Sequence, residues 1–545
     1  MNRSDSVSLR LAANLTLPDG LQVLPAVYYQ RRHSDATPLT YSTLGPFQQA
    51  NTVPSPGDDR FVLPSLTVNY DAGGARLTSV TSYFDRRDAE QLDYSLITMD
   101  TFFGMAILPG FENYQSTSRT RTSQQNFTQE LRVSSTADAS PFNYTVGVFY
   151  QHALTRFAQQ VAEPGLETLS ETLFGAPLAA VAGIGLLPGG LTYEQNSYAV
   201  EEQTAGFGEL SYNLTSHLKI TGGVRVAHIK VSSQFDADGL YNGGPTTPDL
   251  LGVQTSSQTP VNPKGTLSYQ FDDDNLAYIT ASRGFRSGGP NTPVPVGRCG
   301  ADLAAQGTTA EEFRNFKSDS VWNYEVGAKT LTLDRRLALN ASVFYIDWRD
   351  IQQALTLPIC GFGYVANLGH AVSKGFDFQG QYKVIDGLTL GANVGYSHSV
   401  LEGDVYAGLN AITGQRALIA REGDATLLSP QWTSNVTLTY EHALAAQYSG
   451  YLRADLQHSG AFRRTTSEGT ASYDPALYAG PAYNFLTLRS GVVHGSLDLS
   501  FFVDNVTNAR PVLYASYALD SRSRQIQQQA SLRPRTFGID AGYRF

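Results

Sequence analysis

The sequence predicts an all-β chain: one large antiparallel barrel of about nineteen strands, crossing a membrane with strands rather than helices. Three observations predict it. Apolar residues recur with period two. Short polar turns alternate with long irregular loops. No window holds about 18 clean apolar residues, so no segment reads as a membrane helix.

The period-two signal comes first. In Val7–Leu17, the residues Val7, Leu9, Leu11, Leu15 and Leu17 alternate with Ser8, Arg10, Asn14 and Thr16. Leu218–Val226, Leu388–Tyr396 and Ser496–Asp504 repeat the pattern. Strict alternation puts one set of side chains on each face of a strand. A soluble β-sandwich would also alternate.

Loop lengths separate the two cases. Short turns fall at Pro18–Gly20, Asp71–Gly74, Asp138–Pro141, Thr215–His217, Asp272–Asn275, Leu333–Arg336, Asp386–Gly387, Glu441–Gly450 and His494–Gly495. Between them lie long loops such as Arg31–Arg60, Asp85–Ser123, Ala158–Asn196 and Phe285–Lys317. Outer-membrane barrels have short periplasmic turns and long external loops. A sandwich has no reason to sort loop length by side. Within lipid every backbone N–H and C=O must be paired, which a closed barrel achieves. Aromatic residues near strand ends fit an interfacial girdle: Tyr28 and Tyr29, Tyr83 and Phe84, Phe149 and Tyr150, Phe344, Tyr345 and Trp348. Ordinary β-propensity would also place them there.

Composition agrees. Charged residues are 16% of the chain, below the roughly 25% of a soluble domain. Tyr (30) and Gly (50) are abundant, and mean hydropathy is only −0.22, as suits a wall wet on one side and lipid-facing on the other. The net charge of −10 argues against nucleic-acid binding, which needs a basic surface. Ala176–Leu191 is the most apolar stretch, but its Pro and Gly make it a loop with a short helix.

The closing segment, Arg533 to Phe545, sets Phe537, Ile539, Ala541, Tyr543 and Phe545 on one face. It resembles the last strand of TonB-dependent receptors, whose terminal aromatics are read by the barrel-assembly machinery. Other segments follow in family order. Ser282-Arg283-Gly284-Phe285-Arg286-Ser287-Gly288-Gly289, Trp322 to Lys329 with Val343 to Gln352, Asn367 to Asp377, and Asp504 to Asn508 are similar to the family's strand ends. Gln129 to Val133 is a weaker match.

The resemblance implies a bacterial outer-membrane receptor for a scarce nutrient. Its partners would be membrane lipid, the TonB-ExbB-ExbD system and a small ligand: a siderophore, sugar or cobalamin-like molecule. A passive porin-like channel, a non-functional truncated barrel, and an outer-membrane enzyme or adhesin are the rival readings. The whole chain, 1–545, reads as one barrel domain. The family's signal peptide, TonB box and plug are not visible in it. Nineteen strands starting on the external side leave an odd count; at least one more is needed, and three would give a 22-stranded barrel. No cofactor, metal site or catalytic constellation is expected.

Two groups of loop residues are candidate sites. Cys299 and Cys360 lie in neighbouring external loops, where an oxidising compartment permits a disulfide; two independent thiols is the other reading. Tyr41, Phe47, Phe102, Phe103 and Tyr114 either face a ligand or pack on one another. Arg10, Lys219 and Arg225 are expected to face the lumen, there pairing with carboxylates or guiding an anion. Asp236–Asp238 and Asp272–Asp274 read as solvated turns rather than cation sites.

Overall fold

The computed structural model describes residues 3–45, 47–96, 98–99, 108–136, 140–246, 252–306, 309–357, 360, 362–409, 415–470, 473–517 and 527–544. The main sheet has 21 strands, of which Leu15–Thr16 continues the first and Gln254–Gln258 the ninth, leaving nineteen staves. They are β1 (Ser4–Ala12), β2 (Leu21–Ser34), β3 (Gly57–Asp71), β4 (Ala75–Asp93), β5 (Thr117–Ser135), β6 (Phe142–Ala162) and β7 (Leu191–Asn213). Then come β8 (Leu218–Asp238), β9 (Val261–Asp272), β10 (Asn275–Arg286), β11 (Asp319–Thr332), β12 (Leu337–Arg349) and β13 (His370–Ile385). The chain ends with β14 (Leu388–Leu401), β15 (Trp432–Ala445), β16 (Tyr448–Ser459), β17 (Tyr483–His494), β18 (Leu497–Asp504) and β19 (Thr536–Tyr543). Each pairs antiparallel with the next, a simple meander. Among the described residues no ladder joins β1 to β19. Among the described residues, likewise, no helix is long and apolar enough to cross a membrane.

The two faces separate by chemistry. Val27, Leu66, Leu77, Leu131, Val148, Leu210 and Val224 stand on one side of seven adjacent staves and are all exposed. Apolar side chains exposed in register on every strand are what a lipid-facing wall requires. The intervening residues face the lumen: Asn69, Thr78, Glu130, Glu209, Arg225 and Asn435. The aromatic doublets divide accordingly. Tyr83, Tyr150 and Tyr345 share the apolar face, while Phe84, Phe149 and Phe344 point to the lumen.

The lumen wall explains the excess of Gly and Tyr. Large rings lie flat over glycines of the next stave: Tyr278 over Gly327, and Tyr451 over Gly491. A Cβ built at Gly327 would sit 2.5 Å from the Tyr278 ring, and one at Gly491 would sit 2.4 Å from the Tyr451 ring. Only glycine lets the ring approach so closely.

The tight turns lie where short loops were expected, with two adjustments. Asp138 lies outside the described residues. The Glu441–Gly450 turn is narrower, because β15 runs to Ala445 and β16 starts at Tyr448. The external loops are also shorter than periodicity suggests. β2 extends to Ser34, β4 to Asp93 and β6 to Ala162, well beyond the expected loop starts. These upper halves are wet on both faces, so their sequence loses the apolar alternation that marks the lower halves.

Candidate functional site: the lumen and its external vestibule

The polar wall encloses a recess of about 620 Å³, lined by Tyr278, Lys329, Asn340, Asp377, Gln379 and Asn435. These amides and single charges converge from four staves, because lumen-facing positions alternate with lipid-facing ones. Tyr278 Oη donates to Glu325 Oε1 at 2.5 Å, which fixes the ring over Gly327. Among the described residues there is no cluster of His, Cys, Asp or Glu able to hold a metal ion.

A second recess, of about 250 Å³, opens in the external vestibule. Tyr193, Phe235, Tyr241 and Phe362 line it together with Gln195 and Asn242. Tyr193 and Phe235 come from the lumen-facing sides of β7 and β8; Tyr241 follows β8; Phe362 comes from the loop of Cys360. Tyr193 Oη donates to Gln195 Oε1 at 2.9 Å. Tyr241 Oη donates to the fully buried Glu163 carboxylate at 3.0 Å. Burial, then the nearby Glu163 charge, pushes the Tyr241 phenol well above its usual range. Sequence reasoning missed this aromatic set. Its members are scattered over about 170 residues, and only strand register brings them together.

Cys299 and Cys360 are joined by a disulfide with a Cα–Cα distance of 5.2 Å. It fastens helix α1 (Val296–Gln306) to the loop beside the vestibule recess. Val294, Leu303 and Leu357 bury it, and Asp302 Oδ2 accepts the Cys360 amide at 2.8 Å.

The expected ligand-facing aromatics fare differently. Tyr41 is 5% exposed and donates to Asn51 Oδ1 at 3.1 Å; its short strand pairs with Gln528. Tyr114 packs with Met99, Leu166, Leu169 and Leu178. Both rings are therefore buried among loop residues rather than exposed. Phe47 is exposed, at positive φ, with the Arg510 guanidinium 5.3 Å over its ring. Phe102 and Phe103 lie outside the described residues.

Arg10, Lys219 and Arg225 are on the lumen side, as their parity requires. Among the described residues Arg225 has no carboxylate partner. Its guanidinium lies over Phe149 at 5.0 Å and Phe207 at 5.8 Å. Asp272 is a turn residue, accepting the Asp274 amide at 2.9 Å. At the last stave Phe537, Ile539 and Tyr543 are all exposed on the apolar face, and Phe537 stacks on Phe501 at 6.4 Å. Phe545 lies outside the described residues.

An apolar outer face, a polar lumen and an aromatic vestibule define an outer-membrane β-barrel of the receptor class. The chain belongs to the TonB-dependent receptor β-barrel family: the model of that family, described as TonB dependent receptor-like, beta-barrel, matches residues 5–506. It is 24% identical over 286 residues to the pesticin receptor of Yersinia enterocolitica, covering 51% of this chain and 35% of that one. A pesticin receptor of Yersinia pestis matches with the same identity and coverage. The chain thus spans about a third of the length of these curated relatives. Its fold is similar to the crystal structure of the ferric yersiniabactin uptake receptor FyuA from Yersinia pestis, with a TM-score of 0.71 and 16% identity, covering 100% of this chain and 71% of that one. The siderophore receptor PiuA from Acinetobacter baumannii gives a TM-score of 0.68 at 14% identity, covering 99% and 74%. The family and these neighbours are receptors, not enzymes.

Proposed function

We propose that this chain is the barrel wall of an outer-membrane receptor that takes up a scarce nutrient, a ferric siderophore foremost, with energy passed through TonB-ExbB-ExbD. The carrying observation is the aromatic vestibule recess standing over a polar lumen. Tyr193, Phe235, Tyr241 and Phe362 offer ring faces, and Gln195 and Asn242 offer hydrogen bonds. Flat, oxygen-rich chelates need both. The similar receptors for pesticin and ferric yersiniabactin support the choice of cargo.

Among the described residues β1 and β19 each carry one unpaired edge, and bare sheet edges are not tolerated in lipid, so in this reading the wall is closed in the membrane. The enclosed lumen then accommodates a plug. Phe537, Ile539, Tyr543 and Phe545 serve as the assembly signal.

Growth of a deletion strain under iron chelation tests the function. The intact protein should restore growth and uptake of radiolabelled ferric siderophore, and the Tyr193→Ala/Tyr241→Ala variant should lose about tenfold in ligand affinity, about 1.4 kcal/mol. Uptake without dependence on TonB, together with a large constant conductance in planar bilayers, would instead make the protein a passive channel.

A further inference from the structure

Five arginines stand in a rank on five consecutive staves: Arg31 on β2, Arg60 on β3, Arg87 on β4, Arg121 on β5 and Arg156 on β6. Register sets them side by side. Arg31 is opposite Arg60, and Arg60 is opposite Arg87. Arg87 and Arg156 are both opposite Ser123, two residues from Arg121. No bulge interrupts the ladders joining β2 through β6 between this level and the apolar belt. Side-chain parity therefore carries upward unchanged. Arg31 shares its face with Val27, Arg60 with Leu66, Arg87 with Tyr83, Arg121 with Phe127, and Arg156 with Tyr150. All those apolar partners are exposed on the lipid side. The rank is on the outside of the wall, not in the lumen.

Its height is also fixed. The arginines lie two residues beyond Tyr29 and Val62, four beyond Tyr83, and six beyond Phe127 and Tyr150, toward the external ends. At about 3.3 Å per residue this is roughly 7–20 Å along the strands above the aromatic level. That is the headgroup zone of the outer leaflet, too high for acyl chains.

The rank borders a trough of about 1070 Å³ that includes Tyr29 and all five arginines. Acids are present on the same face. Asp58 is 3.6 Å from Arg31 and Asp85 is 3.7 Å from Arg87, while Asp236 lies at the far side. Asp59 and Asp88 belong to the lumen face, where they hold Arg86 at 2.8 and 4.0 Å. Arg60, Arg121 and Arg156 are exposed and have no hydrogen-bond or ion-pair partner among the described residues. Asp59 and Asp88 also line the trough but are engaged by Arg86, so Arg60, Arg121 and Arg156 are its cations without an acid partner, and guanidinium forks match phosphate oxygens two at a time.

We propose that this trough binds the phosphate groups of lipopolysaccharide, the glycolipid of the outer leaflet, and seats β2–β6 in it. The inference rests on the outer-membrane placement but not on the transported cargo.

The test uses the intact protein purified from outer membranes into phosphatidylcholine nanodiscs, with lipopolysaccharide as the titrant. The Arg60→Ala/Arg121→Ala/Arg156→Ala variant should bind about fivefold more weakly per arginine removed, on the order of a hundredfold in all. Arg283→Ala, on the lipid side of β10 away from the rank, should bind as the wild type does. Lipopolysaccharide stripped of its phosphates should lose the same affinity as the triple variant. Undiminished binding by that variant, or by the stripped glycolipid, overturns the proposal. So does inorganic phosphate competing at equal affinity, since the site would then be a free-anion site. Should the triple variant lose its heat-modifiable band, the three single variants carry the same comparison, each with its fivefold loss. Siderophore uptake by the triple variant stays at wild-type level, so loss of uptake alone would count against the functional reading and not against this one.

Discussion

Trp348 Nε1 donates a hydrogen bond of 3.0 Å to Asp319 Oδ2, joining the external end of β12 to that of β11. Asp319 is 2% exposed and also accepts from the guanidinium of Arg286 at the end of β10. The Arg286 guanidinium in turn lies 5.4 Å from the Trp348 ring centre. Gln352, just past β12, donates its side-chain amide to the carbonyls of Ser287 (2.9 Å) and Lys317 (3.0 Å). Arg286, Trp348 and Gln352 are the family-like motif residues. Here they clamp three strand tops together.

Removing the centre of that clamp should be costly. Asp319→Ala leaves the Trp348 N–H and the Arg286 guanidinium without their acceptor. The expected loss is about 2–3 kcal/mol, toward the lower end for a buried pair because Arg286 is half-exposed. Heat-modifiability on gels would show a lower unfolding temperature. An unchanged midpoint would mean that the clamp is ornamental.

The disulfide predicts a local effect. Cys299 and Cys360 are 61 residues apart, and closing such a loop stabilises it by about 4 kcal/mol in the chain-entropy picture. Thiol titration under denaturation should find none without reductant and two with it. Cys299→Ala should make the loops around helix α1 sensitive to protease, while the strands keep their protection. Two titratable thiols in unreduced protein would show that the bond does not form.

The ring-on-glycine contacts make a reciprocal prediction. Gly327→Val would drive two methyl groups into the Tyr278 ring and should cost about 1–3 kcal/mol. Combining it with Tyr278→Ala removes the clash, so the pair should be less damaging than the sum of the two changes. Strict additivity in urea-induced unfolding would refute the contact.

How far the sequence could be read depends on which solvents a residue meets. Leu499 and Ser500 alternate because one meets lipid and the other the lumen, and that contrast is written directly into the order of residues. The short turns at Asp386-Gly387 and His494-Gly495 were legible for a similar reason: Gly387 and Gly495 adopt positive φ. Above the membrane the contrast vanishes. Arg87 and Asp88 both face water, so nothing local marks them as strand, and the expected loops began too early. Within Tyr28-Tyr29 or Phe149-Tyr150 nothing local says which ring turns outward; register decides. The fates of Tyr41 and Tyr114 depend on partners far along the chain. Tyr41 pairs with Gln528, and Tyr114 packs on Leu166 and Leu178. No short-range pattern encodes such contacts. The vestibule recess was hidden for the same reason.

The division into two faces can be tested on adjacent residues of one stave. On β15, Trp432, Val436, Leu438 and Tyr440 are exposed on the apolar side, with aromatic rings above and below the aliphatic pair. Asn435 points to the lumen recess. An arginine at the lipid midplane costs about 2–4 kcal/mol, whereas lumen positions are wet and tolerate charge. Val436→Arg should therefore cut the yield of folded, heat-modifiable barrel and lower its stability by that amount. Asn435→Arg, one residue away, should fold normally and change only what the lumen binds. The opposite order, with Asn435→Arg the damaging change, would invert the faces of the wall and remove the lumen recess from the inside of the barrel.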